Sequence, residues 1–151
     1  MRHHWTVRFR IPAVVAATSL VASLGVVALA SSSANGLPSY TDGYAKWPRI
    51  NDRPFTTTGP LSSAHPGVKN VYASKRKVGK RYPNGTVIVK AIQPAGRKGK
   101  PAQVAVMRKL AGRWRYVEYE LSGPRYTVLA QCALCQSCHM RARANDYVFT
   151  K

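Results

Sequence analysis

The sequence predicts an α+β domain built mainly from an antiparallel β-sheet and completed by a C-terminal helix. Two observations predict this class. Segments rich in β-branched residues or with a period of two follow one another between short turns over residues 68–121. The chain then loses this alternation and places three cysteines within seven residues, at 132–138. Because the chain has 151 residues, we expect one domain rather than two.

Four segments are predicted strands, because their residues alternate or because β-branched residues dominate them. They are residues 68–74, 86–92, 103–109 and 113–121. The turn signal Pro83-Asn84-Gly85 precedes the second segment, and Ala111-Gly112 is a tight connection between the last two. Strands joined by such short turns favour antiparallel pairing.

The segments on either side of these strands are less regular. Residues 35–64 contain repeated prolines and are predicted to form an irregular N-terminal arm, with one helical turn within residues 40–47. Residues 131–144 are predicted to form the C-terminal helix, and residues 146–150 a short closing strand. The domain itself is therefore expected to span residues 65–151.

The first residues have the features of an export signal. Three arginines precede an uncharged apolar run at 11–30, and Ala28-Leu29-Ala30 closes that run with small residues. These features predict a signal peptide over residues 1–34. An N-terminal membrane anchor is the alternative, because about 20 apolar residues can just span a bilayer. In both cases we expect the body of the chain to be exported, periplasmic or otherwise extracytoplasmic, and either released or membrane-tethered.

The charge of the chain is strongly one-sided, with 24 basic residues, five acidic residues and a formal net charge of +19. Such a balance predicts attraction to acidic partners or anionic surfaces, although a solvated basic surface is the simpler interpretation. Nucleic acid is not expected as a partner of an exported protein. We therefore expect an acidic redox partner or an anionic membrane surface.

The most informative motif is Cys135-Gln136-Ser137-Cys138-His139, the C-x-x-C-H pattern of covalent haem c attachment. Two residues between the cysteines, in a helical turn, place both sulfurs toward one edge of a porphyrin. The histidine that follows then reaches the iron. Haem c is attached outside the cytoplasm, in agreement with the export signal. The motif predicts one covalent haem c per chain, with thioether bonds at Cys135 and Cys138 and an iron ligand at His139.

Three other interpretations of this segment remain open. Zinc could use Cys132 together with the motif residues, although structural zinc normally takes its ligands from two separated pairs. An iron–sulfur cluster could use the three cysteines, but it lacks a fourth. A disulfide would leave one thiol over. Cys132 is surplus to the haem motif, and a buried or unreacted thiol is its simplest interpretation.

The second axial position of the iron decides between electron transfer and ligand chemistry. After removal of the leader, His65 is the only histidine besides His139, and it precedes a proline in the irregular arm. Met107 lies in a predicted strand and could reach the far side of the iron, whereas Met140 adjoins His139 and cannot. Small cytochromes c are helical, and this body is predicted to be sheet. We therefore favour an open distal site.

The chain resembles the cytochrome P-460 family, which includes cytochrome c′-beta, over roughly residues 65–151. The order of the motifs makes this resemblance specific, whereas C-x-x-C-H alone would not. The matching segments are Val71-Tyr72, Tyr82-Pro83-Asn84-Gly85-Thr86-Val87-Ile88-Val89-Lys90, Val106-Met107-Arg108-Lys109, Gly112-Arg113-Trp114, the Cys135–His139 motif and Asp146-Tyr147-Val148-Phe149-Thr150.

The resemblance implies a β-rich haem domain that forms a homodimer and carries five-coordinate iron. Lys90 matches the lysine that bonds covalently to the porphyrin edge in true P-460 proteins. From the residues alone, Lys90 shares a strand face with Ile88 and Ile92 and could equally be an edge-strand lysine that discourages aggregation. Lys69 matches a position near the haem that often holds arginine, where it would orient a propionate or ligand, or it is a surface lysine.

The resemblance also implies the reaction, which is oxidation of hydroxylamine or a related small nitrogen species. Nitric oxide binding without turnover, as in the c′-beta branch, is one alternative, and electron transfer with Met107 as sixth ligand is another. Oxidising members place a carboxylate over the iron in the region matching residues 103–109, where this chain has no acid. This departure predicts a more apolar pocket, and the sequence leaves open whether the protein is an enzyme.

Overall fold

A computed structural model of the protein describes residues 32–58, 63–131 and 133–150. Nearly all of the predicted leader, and Cys132, lie outside the described residues. Within the described ranges, no helix is long and apolar enough to cross a lipid bilayer.

The described chain forms one five-stranded antiparallel sheet in which each strand pairs with its neighbour in sequence. This confirms the predicted α+β class with its mainly antiparallel sheet. The strands are β1 (Val68–Ala73), β2 (Val87–Gln93), β3 (Gln103–Leu110), β4 (Arg113–Ser122) and β5 (Arg125–Ala130). The first four agree with the predicted segments to within about two residues at each end.

Strand β5 is absent from the prediction, which assigned no strand between residue 121 and the cysteines. The prediction missed the short alternation of Tyr126 and Val128 with Arg125 and Thr127. Of the six residues only Tyr126 is buried, and the strand is held by its pairing with β4 across the Gly123-Pro124 turn, because ladder hydrogen bonds do not depend on side-chain polarity. A register shift between Glu118 and Tyr119 marks a bulge in this pairing.

The C-terminal segment also differs from its prediction. Helix α1 spans Ala133–His139 and continues as a 3₁₀ helix over Met140–Asn145 with a kink at Ala142, so the regular helix is shorter than predicted. The predicted strand over residues 146–150 does not form. Asp146 and Tyr147 both have positive φ angles, at 53° and 66°, and an extended strand requires negative ones.

The sheet is covered on both faces, which explains why β2 is buried along almost its whole length. One face packs against the N-terminal arm, and its buried cluster consists of Leu37, Val87, Val89, Val104, Val106, Tyr119 and Tyr126. The other face packs against the C-terminal segment, and its cluster consists of Val71, Ala73, Tyr82, Ile88, Met107, Trp114 and Val148. Neighbouring residues of β2 divide between the two clusters, as a period of two requires.

The arm is irregular but firmly held. It contains two short 3₁₀ helices, Ser39–Thr41 and Tyr44–Lys46, in the region where a helical turn was predicted. Asn51 is buried and accepts a hydrogen bond from the Val71 backbone N–H at 2.7 Å, which joins the arm to β1. At the other end of the sheet, the Tyr126 N–H donates to the Asn35 carbonyl at 2.8 Å.

Gly36 packs so closely on β5 that we expect Gly36→Ala to lower the free energy of unfolding by about 2–4 kcal/mol. A Cβ there would lie 2.2 Å from the Tyr126 carbonyl oxygen, and its φ of +89° already disfavours a side chain. Gly43→Ala is the matched control, since Gly43 has a φ of +69° but nothing within 4 Å. We expect that control to cost about 1 kcal/mol. Equal losses for both variants in urea unfolding would contradict this account of the contact.

Candidate functional site

A cleft between the sheet and helix α1 is lined by all the residues predicted for the site except Lys69. The cavity volume of this cleft is about 220 Å³. Its chemically active lining consists of His65, Lys90, Glu118, Cys135, Cys138 and His139. Its apolar walls come from both layers and include Val71, Ile88, Val106, Met107, Val117, Val148 and Phe149.

Cys135, Cys138 and His139 all lie in helix α1. Residues three apart lie on the same side of a helix, so both half-buried cysteines line the cleft. His139 is the last residue of the helix, and its side chain is buried in the same cleft. Helix α1 therefore brings the three motif residues together in one cleft.

The His139 ring is held in one orientation by a backbone hydrogen bond. Its Nδ1 lies 2.6 Å from the Tyr147 carbonyl oxygen, and since a carbonyl only accepts, Nδ1 carries the proton. The lone pair of the neutral ring is therefore on Nε2. The ring also packs against Tyr116 and Phe149, with centroid distances of 4.8 and 5.1 Å. Sequence reasoning missed this partner, because a backbone carbonyl has no residue-type signature.

The surroundings of His139 also keep it uncharged. Its pKa is lowered to about 4, chiefly by burial and in smaller part by the nearby Lys90 and His65, whereas the hydrogen bond to the Tyr147 carbonyl opposes the shift. A neutral imidazole with a fixed tautomer and an available Nε2 is the form that binds a metal ion. Two thiols and this imidazole, in a cleft with mainly apolar walls, form a donor set that fits a haem c.

Lys90 faces the same cleft from the centre of the sheet. It lies on β2, is 8% exposed, and its Nζ is 5.9 Å from the centroid of the Phe149 ring. Its pKa is lowered to about 8, chiefly by burial and then by the charge of Lys69, whereas Cys138 and Glu118 oppose the shift. A substantial part of its amine is therefore neutral near pH 8, and a neutral amine is the nucleophilic form. Since β2 pairs on both sides, Lys90 is not an edge-strand lysine.

Lys69 lies in the wall of an adjoining cavity, which it shares with Lys90 and His139. It is only 1% exposed, so its interpretation as a surface lysine is wrong. Its Nζ donates hydrogen bonds to the Thr57 hydroxyl at 3.0 Å and to the Gly67 carbonyl at 2.9 Å. A buried cation at this position attracts an anionic group such as a carboxylate.

A carboxylate does face the cleft, although none was expected between residues 103 and 109. Glu118 lies on β4 directly opposite Ala105 of β3, so the neighbouring strand supplies the acid that this region lacks. Its Oε1 is 3.1 Å from Nδ1 of His65, and both side chains are largely buried. The walls of the cleft are mainly apolar, and Glu118 adds one carboxylate to them from β4. The available signal was that Glu118 shares a strand face with Tyr116, but its partner could be found only from the strand register.

Two observations concern the other ligand arrangements. Met107 lines the cleft as part of the packed cluster on that face of the sheet. Among the described residues, which do not include Cys132, no group of three or more His, Cys, Asp or Glu side chains is arranged to hold a metal ion.

Comparison with known proteins agrees with this geometry. A family model described as Cytochrome P460 matches residues 41–150, from the first 3₁₀ helix to the last described residue. Among curated proteins no match was found.

Proposed function

Since the chain belongs to the cytochrome P460 family, we propose that it is an exported mono-haem c protein that oxidises hydroxylamine or a related small nitrogen species. The observation that carries the proposal is the presence of Glu118 and Lys90 in the same cleft as His139 and both cysteines. Attachment, metal ligation and proton transfer would thus have their residues in one site.

The residues that would hold haem c follow from their positions. Cys135 and Cys138 would form the thioether bonds, and His139 would ligate iron through Nε2. Lys90, with its pKa lowered to about 8, would bond to the porphyrin edge. Lys69 would pair with a propionate from the adjoining cavity. When bound, the haem supplies an iron that coordinates the nitrogen of the substrate and accepts its electrons.

Glu118 would act as the general base of the reaction. Oxidation of hydroxylamine releases protons together with electrons, and a carboxylate in the cleft can accept a proton at Oε2 while Oε1 faces His65. His65 would hold the carboxylate in place and pass the proton toward the surface, because its side chain is partly exposed. The electrons would leave through the haem to a redox partner.

A non-catalytic nitric oxide-binding protein is the second candidate. The apolar residues Val106, Met107 and Val117 in the cleft wall favour it, since a small uncharged ligand needs no acid or base. A simple electron-transfer cytochrome c is the third candidate, and it would need Met107 as the second axial ligand of the iron.

The partners that we propose follow from charge. The basic clusters at residues 75–81 and 97–100 lie largely on exposed turns and loops, so they can meet an acidic redox partner or an anionic membrane surface. Export to the periplasm or another extracytoplasmic space is proposed from the leader, and a homodimer from the family. Binding to either acidic partner should weaken as salt rises, because exposed charges are screened within about 8 Å at physiological ionic strength.

The experiment is to express the full chain with a haem c maturation system, digest the product and weigh its haem peptide. We expect one mass that combines haem with the 135–138 peptide and the Lys90 peptide, a red-shifted main band, and oxidation of hydroxylamine with an artificial electron acceptor. A high-spin haem protein that binds nitric oxide without turnover would instead establish the second candidate. Sharp low-spin bands would establish the third, and a colourless product would contradict all three.

A further inference from the structure

A buried ion pair lies outside the lining of the cleft and joins β3 to the residue that ends the 3₁₀ helix after α1. Lys109 of β3 donates from Nζ to Asp146 Oδ2 at 2.7 Å, and both side chains are about 5% exposed. The same carboxylate oxygen accepts the Tyr82 backbone N–H at 2.8 Å. Charged residues are rarely buried, and a buried pair is weak evidence for stability alone. Asp146 immediately precedes Tyr147, the partner of His139, so the pair lies where it could have a geometric role at His139, the proposed proximal ligand of the iron.

Asp146 begins the turn that presents the Tyr147 carbonyl to His139. Asp146 and Tyr147 both adopt left-handed backbone angles, which side chains with a Cβ disfavour. The Tyr147 N–H closes this turn by donating to the Ala142 carbonyl at 2.8 Å. The turn is thus tied at its start to β3 through Lys109 and points the next carbonyl at Nδ1 of His139.

We propose that Asp146 and Lys109 are positioning residues for the proximal histidine and thereby set how strongly His139 donates to iron. The Tyr147 carbonyl accepts the Nδ1–H bond at 2.6 Å, and a strong acceptor there raises the basicity of the imidazole. Stronger donation favours ferric over ferrous iron and lowers the reduction potential. This inference rests on the haem attachment proposed above.

The test compares the haem-loaded wild type with Asp146→Asn and Lys109→Gln. Each variant keeps a hydrogen-bonding group but removes one charge, which frees the turn and lengthens the bond from Nδ1 to the carbonyl. We expect the iron–histidine stretching frequency to fall. We also expect the ferrous form to gain about tenfold at a fixed electrode potential, which is about 59 mV for one electron. Lys109→Arg should retain the wild-type stretching frequency and reduction potential, because it keeps the positive charge.

Asn51→Ser is the matched control, because Asn51 is equally buried and also anchors backbone, but on the arm side of β1. It should lower the melting temperature without moving the potential or the frequency. If the ion-pair variants behave like this control, the pair is structural and the inference is wrong. If Asp146→Asn takes up no haem, Lys109→Gln, which leaves the carboxylate in place, decides the question. A wild type without haem would contradict the proposed function instead.

Discussion

Glu118→Gln is expected to lower kcat for hydroxylamine oxidation by about 10²–10⁴-fold, which is the usual contribution of a general base. The amide keeps the shape of the side chain and can still contact His65, but it cannot accept a proton. Haem content and the absorption spectrum should stay close to those of the wild type, since Glu118 is not among the residues that would hold the haem. The measurement is steady-state oxidation with an artificial acceptor at saturating hydroxylamine.

Glu120→Gln provides the control for this variant. Glu120 is the other acid of β4 and is exposed outside the cleft, so the substitution should leave kcat within about twofold. Unchanged turnover in Glu118→Gln would mean that the carboxylate is not the base. That outcome would favour the second candidate, a nitric oxide-binding protein without turnover.

Lys90→Met is expected to abolish the link between residue 90 and the porphyrin edge, because the methionine side chain cannot form the bond that the lysine amine forms. The haem should stay attached through Cys135 and Cys138, so peptide mass spectrometry should find haem only on their peptide. The main absorption band should lose its red shift. Lys90→Arg keeps the charge but is never neutral at working pH, so it should lack the link as well. A link that survives in either variant would assign the bond to another residue.

The pH dependence gives Lys90 a second readout. Its pKa is lowered from 10.5 to about 8 in the folded chain, so between these values the unfolded chain binds more protons. The stability of the haem-free protein should therefore rise as pH rises from about 8 to about 10.5, and the full penalty of the buried charge applies below that range. That penalty is about 3 kcal/mol as an order of magnitude. Lys90→Met should lose this rise, as urea unfolding at several pH values would measure.

Most of the sheet could be predicted because its signals are local. The β-branched run of β2 and the Pro83-Asn84-Gly85 turn specify their own conformations. Strand β5 was missed because its alternation covers only residues 125–128, and the strand depends on its pairing with β4, which no local pattern shows. The closing strand predicted over residues 146–150 does not form, although its apolar residues resemble a strand. Asp146 pairs with Lys109, and its backbone lies in the left-handed region.

The site residues also differ in whether a local sequence pattern predicts them. Cys135, Cys138 and His139 are contiguous in sequence, so their spacing alone predicts their chemistry. Glu118 and His65 are 53 residues apart, and only the fold and the strand register bring them together in the cleft. The Tyr147 carbonyl could not be predicted as the partner of His139, because its orientation depends on backbone angles that a sequence pattern does not encode.

The absence of a sixth strand among the described residues has a consequence for maturation. In the described part of the chain, the turn hydrogen bonds of residues 140–150 stay within that segment, and the sheet ladder ends at Ala130. The segment that carries the C-x-x-C-H motif is instead held to the sheet through side chains, by the Lys109–Asp146 pair and by the buried Val148. We therefore expect that joining a bulky tetrapyrrole to this segment breaks no sheet ladder but has to precede or loosen these side-chain contacts.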